Sequence, residues 1–374
     1  MIINDLIKYY ESWSPPGAAW EKDNVGLQVG NLNDNIKNIF LCLELTISSL
    51  EAAIKKNCNL ILTHHPLIFS PLKKIDTTSN LGLIISLLIK NNITVYSSHT
   101  NLDFVKGGVS FELAKQLKLD KLKFLTNLEK TQYKMAVFIP QENVETVAEA
   151  IFTAGGGIIG EYERCSFSSK GEGTFKGSSD SNPTIGTKQK FQTVNEIKLE
   201  AIIDSWKLNT VLSAMIKAHP YEEPAYDIYP LLNKNVNFGA GVIGTLKEEM
   251  CTDKFLSHVT KSLNINTVKF CEGKTTAIKT VAVCGGSGAD LISSAIKAGA
   301  DAFITADIKY HAYHDAAEKI LLIDAGHYET EIFGLRAIKR NIEEYIDIKD
   351  GNVEIHFYEG STNPAKFYNN IGEN

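Results

Sequence analysis

The sequence is poor in organised thiols. Its six cysteines (Cys42, Cys58, Cys165, Cys251, Cys271 and Cys284) are scattered through 374 residues with no C-x-x-C pair. That excludes a thiolate zinc site or a disulfide framework and points to a reducing cytoplasm. No apolar run can span a bilayer, because the longest, LGLIISLLI at 81–89, falls far short of the roughly 20 residues required. No block of Lys or Arg stands out and the formal charge is −6, so neither a membrane nor a nucleic acid is expected as partner. The opening MIINDLIKYYESW places acidic and polar groups where a signal's apolar region would lie, so no signal peptide is expected. What remains is the composition of a globular protein, 44% hydrophobic and 22% charged, in a chain long enough for two or three domains.

The chain repeats itself. IKNIFLCLELTISSLEAAIKKNCNLILT (36–63) overlays IKTVAVCGGSGADLISSAIKAGADAFIT (278–305) without a gap, with Cys42 on Cys284 and Thr63 on Thr305. Each copy reads as strand, turn, amphipathic helix and second apolar strand, a βαβ unit with parallel pairing. After a small shift ITVYSSHTNLD (93–103) overlays LLIDAGHYETE (321–331), bringing His99 onto His327 and Asp103 onto Glu331. The pattern predicts an α/β protein: two related α/β halves form the core, across a shared cleft, interrupted by an α+β insert. Residues 1–130 form the first half, 131–233 the insert and 234–374 the second half. The insert runs strand, helix, hairpin, strand, helix, strand, a ferredoxin-like order. Its piece SSKGEGTFKGSSDSNPTIG (168–186) is rich in turn formers and is expected as an exposed loop.

NLILTHHPLIF (59–69) sets two histidines, His64 and His65, at the end of an apolar strand, followed by Pro66. Regular pleating would send them to opposite faces. Proline ends the pleating, which lets both imidazoles turn toward the carboxyl edge of the sheet, where open α/β folds place ligands. His99 and Asp103 follow another strand, and His327 and Glu331 follow a third, at the start of the helix YETEIFGLRAIKRNIEEYI. There the i, i+4 spacing stacks His327 and Glu331 on one face. Imidazoles and carboxylates without cysteine suit first-row divalent metals. So many donors exceed the needs of one catalytic ion, and a pair of ions roughly 3.5–4 Å apart is the natural alternative, with Glu331 bridging. The bland alternatives are strand-end histidines that serve as structural hydrogen-bonders, and a surface pair at 327 and 331.

These motifs resemble the NIF-three-like dinuclear metal-centre family, whose bacterial members are called GTP cyclohydrolase 1 type 2 homologues. WEKDNVGLQVG (20–30), THHPLIF (63–69), SSHTNLD (97–103), CGGSG (284–288), TADIKYH (305–311) and GHYETE (326–331) are similar to its landmarks, in its order. The resemblance implies metal ligands at His64, His65, Asp103, His327 and Glu331. His65 and Asp103 would serve one ion, His64 and His327 the other, with Glu331 shared. It implies two divalent ions per subunit, of Zn, Fe, Mn, Co or Ni. It also implies a homohexamer, a ring-like assembly of trimers with sites facing an internal cavity that PII/CutA-like inserts cap.

Candidates for catalytic roles are His99, for proton handling, and Asp307 with His311, for orienting ligands or substrate. Asp307 falls on His65 in the overlaid repeats. GGGIIG (155–160) follows a helix and lacks the strand–glycine–helix context of a dinucleotide site. CGGSGAD (284–290) has that polarity, and is either an anion-holding turn or a structural one. AHPYEEPAY (218–226) reads as a turn into an edge strand. The resulting expectation is a metal-dependent hydrolase acting on a small, nucleotide-like substrate. The alternative is a non-enzymatic metal store, chaperone or metal-responsive regulator.

Overall fold

The computed structural model describes residues 1–349 and 352–366, so residues 350–351 and 367–374 of the expected 234–374 segment lie outside it. The chain separates into two compact units, one of Met1–Thr126 with the residues from Phe238 onward, the other of Asn127–Asn237.

In the first unit, α1 (Ile3–Trp13) buries Ile3, Leu6, Ile7 and Tyr10 along one face. There follow β1 (Gly26–Val29), β2 (Ile39–Cys42), α2 (Ile47–Lys55), β3 (Leu60–Thr63), α3 (Asn80–Lys90) and β4 (Thr94–Ser97). Every residue of β2, β3 and β4 is buried, which is the signature of parallel strands covered on both faces. They pair in parallel, β2 with β3 and β3 with β4, while β1 closes the edge antiparallel to β4. A reciprocal capping box between Thr46 and Ser49 starts α2, satisfying two orphan donors of its first turn. Past β4 come the short α4 (Thr100–Asp103) and α5 (Val109–Gln116), then β5 (Asp120–Glu129).

The second unit runs β6 (Gln132–Pro140), α6 (Val144–Thr153), β7 (Ser166–Lys176), β8 (Phe191–Asp204), α7 (Leu208–Ala218) and β9 (Tyr226–Leu231). The sheet order is β7-β8-β6-β9, with each neighbouring pair antiparallel. This is the ferredoxin-like order expected from the sequence. Met135, Val137, Ile139, Leu199, Ala201 and Ile203 form a core with Val147, Ile151, Val211 and Met215 of the two helices. The expected loop at 168–186 is half strand. All of Ser166–Lys176 pairs with β8, and the cross-strand ladder overrides the low strand propensity of its glycines and serines.

The chain returns to the first unit through β10 (Lys234–Cys251), α8 (Thr252–Leu263) and β11 (Lys269–Cys271), then β12 (Ala277–Ser287), α9 (Ile292–Lys297), β13 (Ala302–Ala306), α10 (Tyr310–Ala316) and β14 (Leu321–Asp324). The parallel trio β12, β13, β14 reproduces β2, β3, β4, and β11 closes its edge antiparallel as β1 does. The two α/β halves are thus related. The helix expected from His327 onward is broken into α11 (His327–Glu331) and α12 (Gly334–Ile348). Just past the break Gly334 lies against α5, where an added Cβ would come within 2.8 Å of Val109. Finally β15 (Ile355–Phe357) adds in parallel to β2.

A candidate metal centre built from four anchored imidazoles

His64 and His65 leave the end of β3, His99 and Asp103 lie just past β4, and His327 and Glu331 lie on α11 past β14. Thr63 fixes the first corner: its hydroxyl contacts Ser97 Oγ at 2.7 Å and donates to the His65 carbonyl at 2.8 Å. The donor atoms of His64, His65 and His99 lie within 4.8 Å of one another, as do those of His65, His327 and Glu331. Two halves of one unit therefore meet at a single cluster.

Each imidazole is held by its Nδ1. His64 Nδ1 donates to the Ser98 carbonyl at 2.9 Å, His65 Nδ1 to Glu44 Oε1 at 2.8 Å, His327 Nδ1 to Asp307 Oδ2 at 2.6 Å and His99 Nδ1 to Asp23 Oδ1 at 2.9 Å. Because every acceptor is a carbonyl or carboxylate, the proton sits on Nδ1 and the Nε2 atoms remain as ligands. Carboxylate- or carbonyl-anchored histidine of this kind orients metal-binding imidazoles.

The Nε2 atoms converge on Glu331. His65 Nε2 is 3.0 Å from Oε2, His327 Nε2 3.1 Å from Oε1, and His64 Nε2 3.8 Å from both Glu331 Oε1 and Asp103 Oδ1. Yet His64 Nε2, Asp103 Oδ1 and Glu331 Oε2 are buried without a hydrogen-bond partner. For Oε2 the 3.0 Å neighbour is close without being aligned for a bond. Buried polar atoms are rarely left unpaired, and each costs roughly 1–3 kcal/mol. Three of them in one cluster, all lone-pair donors, fit a divalent cation.

The electrostatics agree. Burial lowers the His65 imidazole, but the carboxylates of Glu331 and Glu44 outweigh it and push the group up to about 10. Glu331 raises His327, burial opposes, and Asp307 adds to the rise, giving about 9. Burial would lift Glu331, yet His327, His64 and His65 hold it well below the usual carboxylate range. Asp103 is pushed up to about 6 by burial, with His64 pulling it back. A shielded anion gathering protonated imidazoles is a charge pattern that can hold a cation in place of those protons.

The cluster includes His64, His65, Asp103, His327, Glu331 and His99, with Asp307 anchoring His327. His311 is not part of it: it is exposed on α10 with its ring against Tyr310 at 5.5 Å. Asp307 adopts a left-handed φ of 56°, and the chain turns there before α10 begins. Asp23 and Glu44 are anchors that the sequence reading does not single out. The available signals were an acid within WEKDNVGLQVG and a carboxylate at the end of β2.

The profile of the Duf34/NIF3 (NGG1p interacting factor 3) family matches residues 1–364. The chain belongs to the Duf34/NIF3 family. It is 39% identical over 364 residues to the GTP cyclohydrolase 1 type 2 homolog of Bacillus subtilis, covering 97% of each chain. It is also 39% identical to that of Halalkalibacterium halodurans, covering 97% of this chain and 98% of the other. Among solved structures, a Bacillus cereus protein related to NIF3 superposes with a TM-score of 0.82 at 38% identity, over 98% of this chain and 99% of that one.

In this Duf34/NIF3 protein the CGGSG glycines serve the cluster sterically. A side chain on Gly286 would fall 2.0 Å from Glu331 Oε1. Their N–H groups are engaged within the fold: Gly285 donates to Ser110 Oγ at 3.2 Å, Gly286 to Thr330 Oγ1 at 3.0 Å and Gly288 to Thr305 Oγ1 at 2.9 Å. The motif is therefore a structural turn and not an anion cradle. His219 in AHPYEEPAY likewise serves a turn, its Nε2 donating to the Phe138 carbonyl at 3.0 Å and its Nδ1 accepting from the Tyr221 N–H at 3.1 Å. A cavity of about 720 Å³ lies in the insert, beside Phe175, Lys198 and Tyr221, and none of its lining belongs to the histidine cluster.

Proposed function

We propose that this protein holds a pair of divalent first-row ions and uses them to hydrolyse a small, nucleotide-like substrate. His64, His65, Asp103 and His327 would hold the ions, with Glu331 shared between them. The observation that carries this reading is the set of Nδ1-anchored imidazoles turned toward a carboxylate with an unpaired buried oxygen. When bound, such ions supply Lewis-acid polarisation and a water of lowered pKa. The chain's own residues orient and exchange protons. Glu44 and Asp307 hold His65 and His327 in position. Asp23, kept ionised at about 2 by His99 and Thr100 against burial, fixes His99 so that its Nε2 is the group that takes or gives a proton beside the cluster. The names of the bacterial relatives suggest ring opening of GTP, and a phosphoester would suit the same chemistry. The setting is a cytoplasmic homohexamer. Among the described residues no helix is long and apolar enough to cross a membrane.

A second reading has its own observation. His99 lies close enough to His64 and His65 to add a third imidazole; with Glu331 as a fourth ligand such an ion would have its positions filled, which suits storage or sensing better than catalysis. Elemental analysis of untagged protein, with its mass in solution, tests the metal part, and two equivalents per subunit of a six-subunit particle are expected. Turnover of GTP, other nucleotides and phosphoesters, beside His65→Ala and Glu331→Ala, tests the hydrolase. Activity surviving in both variants, or no turnover by the loaded parent, removes the enzyme reading.

A further inference from the structure

The segment after β15 belongs to neither repeat, yet two adjacent residues in it touch both halves of the cluster. The Thr362 hydroxyl donates to Glu44 Oε2, and Glu44 Oε1 accepts a hydrogen bond from His65 Nδ1 at 2.8 Å. Asn363 Nδ2 donates to Glu329 Oε1 at 2.9 Å, and Glu329 lies on α11 between His327 and Glu331. The segment is itself tied down. Tyr358 N–H donates to the Leu41 carbonyl at 2.9 Å, and its ring packs 6.4 Å from Phe40. Asn363 Oδ1 also accepts from the Ala365 N–H at 2.9 Å.

We propose that Thr362 is a positioning residue of the metal centre, fixing the Glu44 carboxylate so that its second oxygen holds His65. The reason lies in the freedom of glutamate. Glu44 reaches the cluster on a long stem and its side chain is 32% exposed, so water competes for both oxygens. A carboxylate held by one partner swings about its terminal bond; held at both oxygens, it presents one fixed acceptor. His65 then keeps its Nδ1 proton in place and its Nε2 aimed at Glu331. Outer partners of metal-binding histidines commonly change metal affinity 10–100-fold when removed. Asn363 does the corresponding work on the other half by anchoring the helix of His327 and Glu331. One short stretch of chain thus sets the two donor groups against each other, a role that neither βαβ repeat performs.

This inference rests on the metal reading above, and the experiment separates the two. Full-length parent, Thr362→Val and Thr362→Ser are compared for Zn²⁺ affinity by chelator competition, for the visible absorption of the Co²⁺-loaded protein, and for melting without metal. Valine keeps the shape and removes the hydroxyl, whereas serine keeps the hydroxyl. Thr362→Val is expected to bind Zn²⁺ about tenfold more weakly with an altered Co²⁺ spectrum. Thr362→Ser is expected to match the parent, and all three to melt alike without metal. Parent-like affinity and spectrum in Thr362→Val overturn the proposal and leave the metal reading standing. Equal weakening in serine and valine, or a metal-free melting loss that accompanies the weakening, makes Thr362 a packing residue and also overturns it. A parent that takes up no Zn²⁺ overturns both.

Discussion

His65 Nε2 lies 3.0 Å from Glu331 Oε2, a contact between the end of β3 in one half and α11 in the other. Glu331 is 3% exposed and, among the described residues, is the one carboxylate that faces His64, His65 and His327 together. In the metal-free protein its charge offsets theirs. Glu331→Gln keeps the volume and removes the charge, leaving cationic imidazoles facing one another. At pH 6 this should destabilise the metal-free fold by about 3 kcal/mol, the low end for a broken buried pair, because His65 and His327 are partly open to water. Above the range in which the imidazoles shed their protons the cost should shrink. Urea melts of parent and variant at pH 6 and pH 10 decide it, and an equal loss at both contradicts the account.

The raised imidazoles also fix how metal binding follows pH. His65 at about 10 and His327 at about 9 lie above the ordinary histidine value of 6.5. Their contribution to metal-free stability is therefore complete below 6.5 and is lost as pH rises through 9 and 10. A metal ion needs the same Nε2 lone pairs, so it must displace those protons. Apparent affinity should therefore rise with pH until about 9 to 10, by up to tenfold per unit for each proton displaced. Asp103, at about 6, adds further competition below pH 6. Glu331, held low, adds none near neutrality. Chelator-buffered Co²⁺ titrations at pH 6, 7 and 8 measure the slope; a flat profile shows that the imidazoles are not the ligands.

Much of this was legible in the chain. Apolar runs and βαβ periodicity foretold parallel trios in both halves, because strands buried on both faces must be apolar throughout. The convergence of His64, His65, Asp103, His327 and Glu331 followed from their places after strand ends. The anchors were harder to see, because an acid at a strand end reads as an ordinary solvent-facing group until its partner's position is known. The overlay of the repeats also hid an asymmetry. Thr63 pairs with Ser97 and Thr305 with Asp324, so His99 follows its strand partner by two residues and His327 by three. The extra residue is Gly326, with φ of 89°, and the two aligned histidines consequently occupy different places around Glu331. His311 was aligned beside Asp307 on sequence alone, but the turn at Asp307 separates them.

Glu44 in the first half falls on Gly286 in the second. Where one half supplies a carboxylate to anchor His65, the other leaves out a side chain altogether. Gly286 has a φ of 62°, and an added Cβ would lie 2.0 Å from Glu331 Oε1 and 3.3 Å from His327 Nε2. Gly286→Ala thus carries two penalties. The left-handed backbone costs an L-residue roughly 1–2 kcal/mol, and the methyl group expels the Glu331 carboxylate from its place against His327. The variant should melt several degrees lower and should also bind metal far more weakly than its stability loss explains, because the shared ligand has moved. Gly299 provides the control: its φ of 74° is also left-handed, but nothing lies within 4 Å of an added Cβ. Gly299→Ala should show only the backbone part of the stability loss and keep the parent's affinity for Zn²⁺. If both alanine variants bind Zn²⁺ as the parent does, Glu331 is not a ligand held in place by the glycine beside it.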